Sequence, residues 1–91
     1  MGWSAARKLR RSVANLARIL AVELTCAARG LDLRAPLEPA KGTGAALGAL
    51  REHAPGPGPD RFLAPELEAV EALVAGGGLV SAVEAEIGEL T

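Results

Sequence analysis

Ninety-one residues suffice for one small domain, and folding a chain of this size removes only about two-thirds of its extended surface from water. Hydrophobic residues make up 49%, but 19 of them are Ala against 14 Leu and 6 Val, Tyr is absent, and Trp3 and Phe62 are the only aromatics, which excludes a large self-sufficient core. The net charge of −1 splits unevenly: residues 1–34 hold seven Lys or Arg against two acids (+5), and residues 35–91 hold three against nine (−6). The halves can neutralise each other, so the chain reads as neither a nucleic-acid binder nor an acidic tail.

The single Cys26 cannot form an internal disulfide, which fits a reducing compartment. The basic start is not followed by an apolar run and a small-residue cleavage site. The longest nearly apolar run, Ile19 to Ala28, is interrupted by Glu23 and too short to span a bilayer. A cytoplasmic location is expected.

The first element is predicted as a helix of about seven turns, from an N-cap near Ser4 to near Arg29, with Gly30 as its stop. Leu9, Val13, Leu16, Leu20, Leu24 and Ala27 recur at spacings of three and four and form one apolar stripe, with Arg7, Arg11, Arg18, Thr25 and Arg29 on the opposite side. From Ile19 onward, Ile19, Val22 and Cys26 add a second apolar flank, so that half of the helix wants neighbours on more than one side.

Pro36, Pro39, Gly42 and Gly44 mark a connecting loop, followed by a short helix from about Thr43 to His53 that uses Leu47 and Leu50. Pro55-Gly56-Pro57-Gly58-Pro59 imposes an extended, helix-free connector. Pro65 suits the first turn of a third helix with Glu66 and Glu68 near its positive end. Leu67, Val70, Leu73 and Val74 give that helix an apolar face, and Gly76-Gly77-Gly78 ends it. A last short helix from about Leu79 to Glu86 presents Leu79, Val80, Val83 and Ile87.

The expected fold is all-α, one long N-terminal helix followed by two or three short helices on Pro/Gly-rich loops. In segments this is 1–30 long helix, 31–44 loop, 45–54 short helix, 55–63 connector and 64–91 C-terminal helices. The short helices are near the length at which isolated helices fail in water. The whole is therefore expected to be one helical segment of a larger domain.

The inventory offers little for catalysis. His53 and Cys26 are the only residues of their kinds, with no suitable partner near either in sequence. One Cys, one His and scattered Glu residues make no spaced metal-ligand set, and Gly76-Gly77-Gly78 follows a helix instead of opening one, unlike a phosphate loop. Accordingly no residue is assigned a catalytic, cofactor-binding or metal role. Glu23 lies close to the apolar stripe, where a buried unpaired carboxylate would cost several kcal/mol. It is expected to bond a cation or donor from outside this helix, a structural ion pair across a helix or subunit contact in preference to a catalytic carboxylate. The cluster Arg7, Lys8, Arg10, Arg11 and Arg18 lacks an aromatic platform or second basic element, so it reads as a solvated or subunit-bridging face, with neither nucleic acid nor membrane as partner.

Two stretches carry a family resemblance: Ala27-Ala28-Arg29-Gly30-Leu31-Asp32-Leu33-Arg34 and Asp60-Arg61-Phe62-Leu63-Ala64-Pro65-Glu66-Leu67-Glu68. With Ile19-Leu20-Ala21-Val22-Glu23 before them, they resemble the C-terminal end of histidine ammonia-lyases, of the aromatic amino acid lyases. The resemblance covers nearly all of the chain but a minor share of a lyase subunit. Position 29 is Arg where relatives commonly show Gln, position 66 is Glu where many show Asp, and the 55–59 connector is unusually rich in Pro and Gly.

Such lyases eliminate ammonia from L-histidine to give urocanate, using a methylidene-imidazolone formed from an internal Ala-Ser-Gly. In them the segment resembling this chain follows one like Asn-Gln-Glu-Asp-His-Val-Ser-Met, which supplies an active-site Glu, and Met1 falls on its final Met. This sequence has neither Ala-Ser-Gly nor Tyr, so no catalytic position carries over and no cofactor is expected in this chain. What the resemblance implies is a helical scaffold within a homotetramer. The chain is then expected to be a C-terminal scaffold and subunit-contact fragment, inactive alone, partnered by the rest of a lyase subunit and prone to self-association. The alternative is an independent small helical protein-interaction module.

Overall fold

The first helix, α1, runs from Gly2 to Leu33, and its 32 residues reach about 48 Å at 1.5 Å per residue, nearly the whole 54 Å long dimension of the molecule. Three helices follow: α2 (Lys41–Arg51), α3 (Ala64–Ala75) and α4 (Gly78–Ile87). This is a computed structural model that describes residues 2–56 and 58–90, and no strand occurs among them. The fold is all-α, one long helix followed by three short ones.

Boundaries differ from the sequence expectation at both ends of α1 and of α2. Ser4 lies inside the first turn, since the helix already includes Gly2. Gly30 does not stop it. A helical glycine costs only about 1 kcal/mol relative to alanine, and continuing to Leu33 half-buries Leu31 and brings Asp32 to Arg51. The helix ends instead in the turn at 34–36, ahead of Pro36. At α2 the chain is helical from Lys41, with Ala40 as N-cap and no side-chain cap, and it ends at Arg51, short of His53. Pro65 stands in the first turn of α3 and Glu66 beside it, as the spacing predicts. The helix-free connector is likewise present, although Pro57 lies outside the described residues.

Packing follows the alanines. Ala17, Ala21 and Ala28 share one face of α1 and are its only buried residues. Small side chains let α3 approach closely there, and Val70, in the middle of α3, is fully enclosed. With Leu50 from the end of α2 and Ala54 from the turn after it, and Leu24 and Leu47 packed alongside, these residues make the core. Successive helical residues are about 100° apart, so the leucine stripe lies to one side of the alanine face. Leu9, Val13 and Leu16 remain 66, 58 and 52% exposed. The expected apolar stripe is therefore real as a pattern but is not what α3 covers.

The α2 helix packs on α4. A Cβ on Gly42 would sit 3.2 Å from Ile87 Cδ1, so the bare backbone there sets how closely the two helices meet. Gly77, at φ 78°, makes the left-handed turn between α3 and α4, which any other residue would strain. Gly78, the third glycine of the run, is already in α4.

The result is a slab only 17 Å in its thinnest direction, less than two helix diameters. Its radius of gyration of 15.1 Å exceeds the roughly 12 Å of a compact chain this long. Its accessible surface of 6,724 Å² compares with about 5,000 Å² for a compact monomer of this mass. The chain therefore exposes roughly 1,700 Å² more than a closed fold would.

Candidate functional site: an arginine junction beside an open helix face

The two stretches that carry the family resemblance meet in space. Asp32, in the last turn of α1, pairs with Nη2 of Arg51, the final residue of α2. Nη1 of Arg51 donates to the carbonyl oxygens of Ala54 at 3.0 Å and Pro55 at 3.2 Å. From the other side Arg61 Nη2 donates to the Pro55 carbonyl at 3.0 Å, while its Nε donates to both Glu66 carboxylate oxygens at 3.1 and 3.0 Å. The order Asp32, Arg51, Pro55, Arg61, Glu66 thus ties the end of α1 to the start of α3 through the connector. The hydrogen bond with Glu66 holds the Arg61 guanidinium above its ordinary pKa, outweighing the slight desolvation that opposes it.

The reason for arginine here is its fork. One planar guanidinium satisfies a carboxylate and two carbonyls in fixed geometry, which an ammonium on a flexible stem does not reproduce. The Pro/Gly connector cannot form helix and leaves carbonyls without intrahelical donors; Arg51 and Arg61 supply them. A cleft of about 170 Å³ opens beside this junction, lined also by Thr25, Cys26, Arg29 and Asp60. Its charges are largely paired with one another, so it can hold the chain in place but offers no poised nucleophile and base. Cys26 has no histidine beside it there, and His53 lies exposed in the turn after α2. Among the described residues no group of three or more His, Cys, Asp or Glu side chains gathers to hold a metal, and no helix is long and apolar enough to cross a membrane.

Among the described residues of this chain Glu23 meets neither the cation nor the donor expected of a contact between helices, and a contact between subunits is the remaining form of that expectation. Its side chain is exposed and makes no hydrogen bond or ion pair among the described residues. The cause is that α3 covers the alanine face of α1 and leaves the Glu23 side open, so within this chain there is no desolvation for a partner to offset. Glu23 instead edges an apolar cleft of about 400 Å³ formed by Leu20, Leu24 and Ala27 with Val74, Leu79 and Val80. Of the basic cluster, Arg18 reaches Glu71 of α3 at 3.2 Å, while Arg7, Lys8, Arg10 and Arg11 stand exposed along the free part of α1. Both aromatics are also outside, Trp3 at 76% and Phe62 at 81% exposure.

The sequence singles out the two stretches but not Arg51, Arg61 and Pro55 as a unit. Arg61 and Glu66, five apart across a helix start, are the available signal, since an arginine just before an N-terminal carboxylate favours such a bond.

Comparison with known proteins extends the resemblance over nearly the whole chain. The family model for aromatic amino acid lyase matches residues 1–52. Histidine ammonia-lyase of Streptomyces griseus is 58% identical over 99% of this chain, that of Symbiobacterium thermophilum 49% over 99%, and that of Sorangium cellulosum 42% over 99%. The chain spans only 18% of the length of each of these relatives. No solved structure matches it. The chain belongs to the aromatic amino acid lyase family.

Proposed function

We propose that this chain is the C-terminal scaffold and subunit-contact part of a histidine ammonia-lyase, catalytically inactive by itself. The carrying observation is the mismatch between what it folds and what it leaves open. A chain 58% identical to a histidine ammonia-lyase over 18% of that enzyme's length keeps Trp3, Leu9, Val13, Leu16 and Phe62 in solvent. Exposed large apolar side chains in this number mark surface made for protein contact.

On this reading the arginine junction holds the end of α1 and the start of α3 in fixed relation, while the open stripe and the aromatics pack on the remainder of a lyase subunit within a homotetramer in the cytoplasm. The deamination of L-histidine to urocanate belongs to that assembly. The methylidene-imidazolone does not fit this chain, which has no Ala-Ser-Gly to form it and no Tyr. The test is co-purification of the tagged chain with a histidine ammonia-lyase from which the corresponding C-terminal residues have been removed. A stoichiometric complex is expected. A folded chain that does not bind the truncated lyase would favour the independent interaction module.

A further inference from the structure

The α1–α2 half of the chain and the α3–α4 half hold each other more than they hold themselves. α1 packs on α3 and α2 packs on α4, whereas α1 and α2 make little direct contact and flank an apolar crevice of about 90 Å³. The core takes Ala21, Ala28, Leu50 and Ala54 from the first half and its one fully enclosed side chain, Val70, from the second. Charge is arranged the same way. Arg18 meets Glu71 at 3.2 Å and Lys41 meets Glu86 at 3.7 Å, both across the division.

The halves join through residues 52–63. Every residue from Gly58 to Leu63 is exposed and outside any helix, so nothing apolar anchors this stretch. What folds it back is Arg61, whose Nη2 donates to the Pro55 and Gly56 carbonyls at 3.0 and 3.5 Å. The pairs Asp32–Arg51 and Arg61–Glu66 each lie wholly on one side of Gly58.

We propose that the α3–α4 hairpin is an exchangeable arm: it seats on the α1–α2 half of its own chain or, when the stretch at Gly58–Asp60 straightens, on that of a second copy. Each copy then gives its hairpin and receives the other's, which closes the pair about a two-fold axis. The contacts of Val70, the approach of Ile87 to Gly42 and both crossing ion pairs are made again between chains. Of the bonds named here, those of Arg61 to Pro55 and Gly56 are the ones given up. The occupant is a second copy because the surface is matched to this hairpin, by bare backbone at Gly42, where a Cβ would lie 3.2 Å from Ile87, and by Arg18 and Lys41 opposite Glu71 and Glu86. Short helices need a surface to pack on, so a released hairpin seats again. A tether of this kind gives its own half an effective concentration in the millimolar range, so dilute chains close on themselves and exchange belongs to concentrated or refolding protein.

The open stripe of α1 takes no part, and the exchange holds or fails apart from the lyase role. Two charge-reversed chains test it. Arg18→Glu with Lys41→Glu in one, and Glu71→Arg with Glu86→Lys in the other, set like charges across the division in each chain alone. Unfolded together and refolded, they are expected to form a 1:1 heterodimer, because exchange between them restores every crossing pair. Its Kd by sedimentation velocity should lie at least about tenfold below that of either variant with itself, with helix content followed by circular dichroism. Wild-type protein gives a second reading: a mixture of isotope-labelled and unlabelled chains refolded near millimolar concentration should show nuclear Overhauser effects between α3 of one copy and α1 of the other. Monomers from the refolded variant mixture, a mixed dimer no tighter than the like pairs, or wild-type effects confined within single chains overturn the proposal. A closed monomer that binds a truncated lyase without any of these signs overturns it too and leaves the scaffold role standing.

Discussion

Arg51 and Arg61 converge on one atom, the carbonyl oxygen of Pro55, at 3.2 and 3.0 Å. Through it the carboxylates of Asp32 and Glu66 are linked across 34 residues of chain. The junction explains how a stretch that cannot form helix still sets the position of α3.

The junction should respond sharply to the loss of one fork. Arg51 and Asp32 have side chains only 23 and 21% exposed, so Arg51→Ala leaves a half-buried carboxylate unpaired and should cost about 2 kcal/mol. Arg51→Lys should recover less than half of this, because one ammonium cannot serve Asp32 and two carbonyls together. Urea denaturation followed by circular dichroism reads both. A lysine variant as stable as wild type would contradict the geometry.

Alanine, not leucine, should be the sensitive residue on α1. Ala21 is 1% exposed against α3, and Ala21→Leu should destabilise by about 2 kcal/mol through overpacking. Leu16→Ala, at 52% exposure, should change monomer stability by less than about 0.5 kcal/mol. Thermal melts of dilute protein, where self-association is absent, compare the two. The reverse ranking would mean that the leucine stripe faces α3.

Two glycines should behave oppositely. Gly77 adopts φ 78°, and Gly77→Ala should lower stability by about 1 kcal/mol. Gly30 lies within α1 with open space where its Cβ would be, so Gly30→Ala should raise stability by about 0.5–1 kcal/mol. A fall in melting temperature for Gly30→Ala would mean that α1 ends where the glycine stands.

The aromatics should matter only in assembly. Phe62 and Trp3 are among the most exposed large side chains, so Phe62→Ala should leave the melting temperature of the isolated chain within a degree or two while weakening its complex with a truncated lyase. Equal binding by the variant would remove Phe62 from the contact surface.

How much of this is legible in the sequence varies with the kind of signal. Helix number and type follow from local rules: Pro65 opens α3, Gly77 turns it into α4, and the Pro/Gly run bars helix in between. The face that packs does not follow, because periodicity weights large side chains, and a row of alanines gains its importance from close approach, which only a partner helix reveals. Gly30 misleads for a related reason: its local cost is outweighed by Leu31 burial and by Asp32 reaching Arg51, a residue 19 positions away. Burial of Glu23 would require the stripe beside it to be covered within the chain, and α3 lies on the alanine face instead. The arginine junction joins residues from three elements, and no single window of sequence contains it.

The most direct measurement of the scaffold role is complementation: a histidine ammonia-lyase lacking the residues that correspond to this chain, mixed with this chain, and assayed for urocanate from L-histidine. Neither part alone should form urocanate, and the mixture should form it in proportion to the complex present. No activity from a mixture in which the chain is folded and bound, or urocanate from the rigorously purified chain alone, would contradict the account.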